Sequence, residues 1–399
     1  MSSSVNESLS EKSIVRFDVV IVGGGLAGLA LAVALRDSGL MVALIEGRAP
    51  VRPQGWDSRI YAISPANKSF LGKIGVWEHL DRARILPVQT MSIAGDAQGR
   101  IGFSAYDSAV DELAFIVESS LIQCELWESA KRQANLSLYC PNRPTALAFA
   151  EDAVTVQLTD GSLLAAALVV ATDGADSWAR KAAGIDVEFK SYGQSAVVAN
   201  FETAKPHRAT AFQWFREDGI LAWLPLPGNR ISMVWSTSEA QAAELTALSP
   251  EALSARVADV GGCCLGELRP LTPAAAFPLR LMRAPRTTQS RLALIGDAAH
   301  AIHPLSGHGI NLGFQDAESL ANTLRTRGPQ SDCGDLLLLR RYERARIGDV
   351  VALQTLTDSL QRLFAYNRAP FGFLRNVGMN LVDGVPVVKD TLVRFALNS

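Results

Sequence analysis

Hydrophobic runs and their spacing predict a strand–helix–strand unit near the start of the chain. Residues Phe17–Val22 read FDVVIV, a short apolar run rich in β-branched residues, which is typical of a buried strand. A helix is predicted over Leu26–Asp37, ended by Ser38-Gly39, and a second strand is predicted over Met41–Ile45. A unit of this length implies two parallel strands joined by a right-handed crossover.

The middle of the chain follows a different pattern. Four segments alternate apolar, aromatic and polar residues and predict an antiparallel sheet: Ser195–Phe201, Ala211–Arg216, Ile220–Pro225 and Arg230–Ser236. A long helix is predicted over Glu112–Gln133, and a hairpin is predicted from Ala153–Leu158 and Ser162–Ala171. Another buried strand, Arg291–Ile295, precedes a glycine-dense loop, and the chain is predicted to be helical from Asp316 onward.

The order of these elements predicts an α/β fold in which a second domain interrupts a nucleotide-type domain. We expect a Rossmann-like cofactor-binding domain, an inserted antiparallel-sheet substrate domain and a helical C-terminal region. The predicted cofactor-binding segments are 16–75, 101–184 and 281–345. The substrate domain is assigned to a hairpin at 76–100 and to 185–280, and the C-terminal helical region to 346–399.

Composition narrows the functional classes. A formal net charge of -2 over 399 residues lacks the basic surplus expected of a nucleic-acid-binding protein. No apolar run reaches the ~18 residues of a membrane span, and the serine-rich N-terminus shows no signal peptide. Five cysteines without a C-x-x-C pair favour reduced thiols in a cytosolic compartment. The predicted location is cytoplasmic, with attachment at the inner-membrane periphery left open.

The first glycine cluster carries the clearest chemistry. Gly23, Gly25 and Gly28 form G-x-G-x-x-G between a strand and a helix. Such glycines allow a tight turn, close approach of the backbone to a pyrophosphate, and close packing of helix on strand. Glu46, at the end of the second strand, can accept hydrogen bonds from ribose hydroxyls. A glycine-rich turn without a ligand is the alternative, but the strands and the acid favour dinucleotide binding.

Two later motifs indicate which dinucleotide is bound. Asp173-Gly174 follows a buried strand, and Gly296-Asp297 is followed by Pro304, Gly307, Gly309 and Asn311. With the glycine motif, this order resembles the aromatic-hydroxylase group of flavoprotein monooxygenases over nearly the whole chain from Arg16. Segments Asp57–Ile63 and Gly296–Ala317 are most similar to ubiquinone-biosynthesis hydroxylases. The family usually has Ala-Gly-Gln-Gly after the proline, whereas this chain has Ser306-Gly307-His308-Gly309.

The resemblance implies a function and a set of cofactor contacts. The chain is expected to use FAD, reduced by NADPH or NADH, and O2 to hydroxylate a prenylated phenol or quinol. Asp297 would bind a ribityl hydroxyl, and the loop with Gly307, Gly309 and Asn311 would face the flavin pyrimidine. A turn with a structural aspartate cap is the alternative for Asp297. Arg59 would reach FAD, and Asp173 would border FAD and the donor's path with Arg180. The alternative for Arg59 is an ordinary surface arginine, and the alternative for Asp173 is a plain turn.

Three histidines follow the Gly-Asp motif, and His303 and Pro304 are the candidate catalytic residues. The hypothesis is that His303, just before Pro304, lies over the reactive face of the flavin and could position or polarise a phenol, because histidine titrates near neutral pH. A structural histidine is the alternative. His300, His303 and His308 lack the helical spacing and the further ligands of a metal site, so no metal is predicted.

Apolar side chains suggest the substrate pocket and the partners. Trp214, Trp223 and Trp235 on the predicted antiparallel sheet are candidate pocket residues, with ordinary core packing as the alternative. The amphipathic segment 370–395 could cover the core, join a partner or touch a membrane surface. A second copy of the chain and other ubiquinone-biosynthesis proteins also stay open as partners. Another flavoenzyme, such as a different hydroxylase or a reductase, and a flavin-holding scaffold subunit are the rival functions.

Overall fold

The computed structural model describes residues 14–95, 99–301, 309–328 and 330–365. Their strands are β1 (Val15–Val22), β2 (Val42–Ile45), β3 (Ile60–Ile63), β4 (Leu86–Val88), β5 (Thr90–Ala94), β6 (Arg100–Ser104), β7 (Ala114–Glu118), β8 (Leu136–Tyr139), β9 (Pro144–Phe149), β10 (Val154–Leu158), β11 (Leu163–Ala171), β12 (Phe189–Thr203), β13 (Thr210–Arg216), β14 (Gly219–Leu226), β15 (Arg230–Ser238), β16 (Leu268–Pro270), β17 (Ala275–Arg283), β18 (Thr288–Gln289), β19 (Leu292–Leu294) and β20 (His300–Ala301). Their helices are α1 (Leu26–Ala34), α2 (Pro65–Lys73), α3 (Ser119–Lys131), α4 (Trp178–Ala182), α5 (Glu239–Ala247), α6 (Pro250–Val260), α7 (Gly309–Arg325) and α8 (Leu336–Ala365).

The first layer is an eight-stranded sheet in the order β18-β19-β11-β1-β2-β8, with β10 and β9 joined to β11 as a hairpin. Strands β19, β11, β1, β2 and β8 run parallel. The parallel pairing of β1 with β2 confirms the strand–helix–strand unit, and β10 and β11 confirm the predicted hairpin. Because both faces of β2 are covered, all four of its residues are buried, as parallel strands require.

Helices α1, α3 and α7 cover one face of this sheet, where the largest apolar core includes Val19, Leu29 and Phe314. A second core on the other face includes Val20 and Val22, the alternate residues of the same strand. The prediction of one long helix over Glu112–Gln133 is wrong at its start. Residues 114–118 form β7, whose β-branched and aromatic side chains pair with β3, and the helix begins only at Ser119.

The second layer is a nine-stranded sheet in the order β20-β17-β12-β15-β14-β13-β5-β6, with β16 paired to β12. It is antiparallel except for the pair β13–β5. The four predicted strands of the middle region are all present in it, and the hairpin β5–β6 extends it. Helices α5 and α6 cover one face and share a core with it.

A small antiparallel sheet, β3-β7-β4, shares apolar clusters with both large sheets. Ile60 and Ile116 from this sheet pack against Leu226 of β14 in a separate apolar cluster. The segments named above as domains keep their status as predictions, and residues 366–399 of the predicted C-terminal region lie outside the described part. None of the helices in the described residues combines the length and the hydropathy needed to cross a bilayer.

Candidate cofactor and substrate site

The glycine turn after β1 is sterically locked against the turn after β11. A Cβ on Gly28 would lie 2.2 Å from the Gly23 carbonyl oxygen and 2.4 Å from Thr172 Oγ1, so only glycine fits there. The Thr172 hydroxyl donates to the Gly23 carbonyl oxygen at 2.6 Å. At Gly25, by contrast, a Cβ would meet nothing within 4 Å. The backbone at Gly25 is therefore open to a ligand at the N-terminus of α1, where free N–H groups favour a phosphate.

Glu46 leaves β2 beside this turn. Its carboxylate accepts a hydrogen bond from the Gly24 N–H at 2.6 Å and another from the Arg48 N–H at 2.9 Å. Each carboxylate oxygen has two acceptor positions, so Glu46 keeps capacity for a ribose hydroxyl while its orientation is fixed by the backbone.

The Asp-Gly turn forms the second wall. Asp173 accepts hydrogen bonds from the Ser177 hydroxyl and, at 3.0 Å, from the Ala179 N–H, so the carboxylate caps the short helix α4. Gly174 has a positive φ of 86°, which glycine adopts without strain. The geometry therefore gives Asp173 a structural task in addition to any contact with FAD or its donor.

Arg180 is wholly buried, a position unsuited to an exposed contact with a nicotinamide donor. It donates to the Ala175 carbonyl oxygen and the Ala298 carbonyl oxygen, each at 2.8 Å. Burial lowers the pKa of its guanidinium, while Asp173 and Asp176 oppose that shift. Arg180 thus ties the Asp-Gly turn to the Gly-Asp turn.

The third wall is the turn that follows β19. Gly296 has a positive φ of 58° and lies against Ala27 of α1 and Gly313 of α7. Asp316 of α7 holds both ends of this turn, because its carboxylate accepts from the Gly296 N–H at 3.0 Å and contacts His300 Nε2 at 2.7 Å. Arg346 of α8 donates to the same carboxylate at 2.8 Å. Burial alone would raise the pKa of Asp316, but His300 and Arg346 lower it below its usual range.

Asp297 lies in the turn after β19, close enough to His300, Arg59 and Tyr61 for their charges to interact. Its side chain remains accessible to solvent although protein atoms surround it, and this desolvation raises its pKa against the opposing effect of His300 and Arg59. Tyr61 of β3 lies close enough for Asp297 to contribute to the raised pKa of its phenol, after the larger effect of burial. Arg59 is exposed and lies over the Phe277 ring at 5.0 Å from its centroid.

Helix α7 begins at Gly309, so its first-turn N–H groups lie near the turn of Gly296. The Asn311 side chain is committed elsewhere. It accepts from the Ser64 N–H and from Asn67 Nδ2, both at 3.0 Å, and donates to the Ala62 carbonyl oxygen at 2.8 Å. Asn311 therefore fixes the start of α7 to the β3–α2 junction, and its backbone N–H stays a candidate for a flavin contact.

The tryptophans assigned to the pocket occupy the covered face of the nine-stranded sheet. Trp223 and Trp235 are fully buried in the core shared with α5 and α6, and Trp214 packs against the same core. A Cβ on Gly261, at the end of α6, would lie 2.2 Å from the Trp223 ring. This corrects the placement: the three rings stabilise the sheet on the face directed away from Arg59 and Asp297.

The opposite face of the sheet is directed toward the segment that contains Asp57 and Arg59. Asn200 Nδ2 donates to the Asp57 carbonyl oxygen at 2.8 Å, and Phe277, beneath Arg59, pairs with β12 in the same side-chain phase as Asn200. Ala222, Leu224 and Val234 on this face keep intermediate exposure, and we call these three residues the open patch. The open patch gives the sheet an apolar surface that is only partly covered.

Several predicted residues lie outside the described part, namely His303, Pro304, Gly307 and His308. Among the described residues, histidine, cysteine and carboxylate side chains form no cluster suited to a metal ion.

Sequence reasoning also missed residues that organise the site. Arg346 and Tyr61 belong to no glycine motif, and nothing in the local sequence signals that they approach Asp316 and Asp297. Gly24, inside the first motif, donates to Glu46 and could have been found from its position.

Comparisons with known proteins agree with this geometry. The FAD binding domain family matches residues 16–351. The chain is 35% identical to the ubiquinone hydroxylase UbiL of Rhodospirillum rubrum, over 96% of this chain and 90% of that protein. It is 33% identical to the 3-demethoxyubiquinol 3-hydroxylase of Escherichia coli, over 95% of this chain and 98% of that protein. The fold is similar to that of p-nitrophenol 4-monooxygenase PnpA from Pseudomonas putida, with a TM-score of 0.79, 18% identity and coverage of 97% and 99% of the two chains.

Proposed function

Because the chain belongs to the family of FAD-dependent monooxygenases that includes the ubiquinone-biosynthesis hydroxylases, we propose that it hydroxylates the aromatic ring of a polyprenyl phenol intermediate in ubiquinone biosynthesis. One observation carries the assignment of the site. Three turns distant in sequence are joined in series: Thr172 links the first turn to the second, Arg180 links the second to the third, and Asp316 holds both ends of the third. FAD is the cofactor of the family, and the open backbone at Gly25 fits a pyrophosphate.

The chain's own residues divide the work of holding FAD. The N-terminus of α1 would receive the pyrophosphate, and Glu46 would accept from the adenosine ribose. Asp297 would accept from a ribityl hydroxyl, and the backbone N–H groups at Gly309 and Asn311 would stabilise negative charge at the pyrimidine end. Residues 16–75, 101–184 and 281–345 are assigned to cofactor binding, and 76–100 and 185–280 to the substrate.

Bound FAD would supply the chemistry, accepting a hydride from NADPH or NADH and activating O2 for transfer of one oxygen atom to the ring. The protein's task is to place the ring and limit access of water. The open patch and Phe277 provide an apolar surface beside Arg59, whose guanidinium can face an electron-rich ring or the cofactor. His303 and Pro304 are proposed to border the same space.

The substrate's prenyl chain also bears on where the protein acts. A lipid-dissolved substrate would favour contact with a membrane surface, for which residues 370–395 are the candidate segment. Other ubiquinone-biosynthesis proteins and a second copy of the chain are further partners that we propose for this protein.

The direct test uses purified protein loaded with FAD, to which NADPH or NADH, isotope-labelled O2 and a 2-polyprenylphenol are added. We expect the phenol to stimulate oxidation of the nicotinamide, and one labelled oxygen atom to appear on the ring. Binding of FAD without turnover would favour the flavin-holding scaffold, and stimulated oxidation without labelled product would favour a reductase.

A cellular test identifies the ring position. The chain is expressed in an Escherichia coli strain that lacks its 3-demethoxyubiquinol 3-hydroxylase, and the quinones are analysed. Restored ubiquinone would assign the same hydroxylation to this chain, whereas continued accumulation of the intermediate would assign a different position.

A further inference from the structure

Two buried polar atoms on the site-facing side of the nine-stranded sheet lack hydrogen-bond partners. Ser232 is 1% exposed and Asn200 is 0% exposed, yet Ser232 Oγ and Asn200 Oδ1 have no partner among the described residues. Buried hydroxyl and amide oxygens are nearly always satisfied in folded proteins, so each such atom needs an explanation.

The two side chains form one unit. Asn200 and Ser232 are directly opposite each other on β12 and β15, so they project from the same face as neighbours. Ser232 is also opposite Leu224, and it lies two residues before Val234 on the same face. The pair therefore borders the open patch, on the side of the sheet that faces Asp57 and Arg59.

The hydrogen bond to the Asp57 carbonyl oxygen fixes the chemistry that the pair presents. Because a carbonyl can only accept, the amide nitrogen of Asn200 must point to Asp57, and Oδ1 is the atom left over as an acceptor. Ser232 supplies a hydroxyl that can donate. One acceptor beside one donor matches a phenolic hydroxyl, which donates one hydrogen bond and accepts another.

We propose that Asn200 and Ser232 bind the oxygen substituent of the substrate ring while the ring itself lies on the open patch. This inference rests on the proposed function and names the part of the substrate that the sheet recognises. The phenolic hydroxyl donates to Asn200 Oδ1, and the Ser232 hydroxyl donates to the phenolic oxygen or to a neighbouring ring oxygen. The pair thereby orients the ring and selects oxygen-substituted rings over plain hydrocarbons.

The test compares Ser232→Ala with wild-type holoprotein, using two probes. One probe is 2-prenylphenol, and the other is prenylbenzene, which lacks the ring oxygen. Binding is measured at equilibrium from the change in flavin absorbance. We expect Ser232→Ala to raise the dissociation constant of 2-prenylphenol by about 5- to 10-fold and to leave that of prenylbenzene unchanged.

A matched control separates recognition from folding. Thr288 on β18 also has a buried hydroxyl oxygen without a partner among the described residues, but it belongs to the eight-stranded sheet. Thr288→Val and Ser232→Ala each remove an unsatisfied hydroxyl, so neither is expected to lower Tm. Only Ser232→Ala should weaken binding of 2-prenylphenol. Ser232→Thr keeps a hydroxyl at this position and should bind the phenol as the wild type does.

The second member of the pair is tested by Asn200→Ala, which also releases the Asp57 carbonyl. If release of the Asp57 carbonyl shifts its loop, the affinity for prenylbenzene falls as well and measures that shared effect. The proposal predicts a further loss of affinity for 2-prenylphenol alone. Equal losses for both probes, or unchanged phenol binding in Ser232→Ala, would overturn the proposal while wild-type turnover still supports the proposed function. If the wild type binds no phenol and is not stimulated by it, both fail together.

Discussion

The eight-stranded and nine-stranded sheets differ in how many of their faces are covered by the rest of the protein. The eight-stranded sheet is covered on both sides by two apolar cores, and most of the residues proposed to hold FAD come from turns at the ends of strands β1, β11 and β19. The nine-stranded sheet is covered by α5 and α6 on one side, and its other face is directed at the segment of Asp57 and Arg59. A parallel sheet covered on both faces can thus bind a ligand only at the ends of its strands, whereas an antiparallel sheet covered on one face can bind a ligand on the other.

This difference teaches where to look for specificity. In the first sheet the sites are set by backbone at glycines, which tolerates little change. In the second, one residue step along a strand moves a side chain from the tryptophan core to the open patch. Substitutions at the glycine turns should therefore impair cofactor binding, whereas substitutions in the nine-stranded sheet should affect either its stability or binding of the substrate, depending on the face.

Gly28→Val should abolish binding of FAD, with a loss in affinity of more than about 100-fold. Its Cβ would meet the Gly23 carbonyl oxygen at 2.2 Å and force the glycine turn away from Thr172. Bound flavin after purification and FAD titration of the apoprotein measure the effect. Gly25→Ala is the control: its Cβ meets no protein atom within 4 Å, so the apoprotein should keep its Tm and lose affinity by only about 10-fold. A flavin-saturated Gly28→Val protein would contradict the prediction.

Trp223→Ala should lower the free energy of unfolding by about 3–5 kcal/mol, because it leaves a cavity between β14 and α6. Its neighbour on the other face, Ala222→Leu, should change that free energy by less than about 1 kcal/mol but weaken binding of 2-prenylphenol. Guanidinium denaturation and phenol titration of both variants measure the two effects. If Trp223→Ala were stable but bound phenol poorly, Trp223 would be a pocket residue and not a core residue.

Asp316→Asn should lower the free energy of unfolding at pH 7 by about 3 kcal/mol, because His300 and Arg346 lose their buried anionic partner. The pKa of Asp316 is lowered in the folded state, so its stabilising effect is present above the unfolded pKa of about 3.9 and is lost as the pH falls through the folded value. The difference between the two proteins should therefore shrink on acidification below about pH 4. Urea denaturation at a series of pH values checks this, and a constant difference would refute the assigned charge state.

Asp297→Asn should separate stability from cofactor binding. Desolvation raises the pKa of Asp297, so its destabilising effect on the apoprotein grows as the pH rises through that pKa. Asparagine removes the charge, and the apoprotein Tm at pH 7 should rise slightly. The affinity for FAD should fall by about 10-fold, because a charged acceptor for the ribityl hydroxyl is lost. Thermal denaturation without FAD and titration with FAD measure both changes, and unchanged affinity would remove Asp297 from the cofactor site.

The sequence alone determined the features that depend on local chemistry. A strand followed by Gly23, Gly25 and Gly28 requires a specific backbone path, so the cofactor turn could be recognised without knowing any distant contact. The parallel unit, the hairpin of β10 and β11 and the four middle strands also followed from local periodicity. The start of α3 did not, because residues 114–118 fit either a buried helix or a strand until β3 supplies their hydrogen-bond partners.

Only the tertiary structure decided which side chains share the site. Alternation along β14 predicted two faces but could not say which one α5 and α6 would cover, so Trp223 could not be distinguished from Ala222 and Leu224 as a pocket residue. Likewise, the sequence placed Arg180 on the donor's path and gave no role to Arg346, and both arginines become structural only when distant turns bring carbonyl and carboxylate oxygens to them. The physical reason is that burial and hydrogen-bond partners belong to the assembled layers, whereas a glycine's conformational freedom belongs to the residue itself.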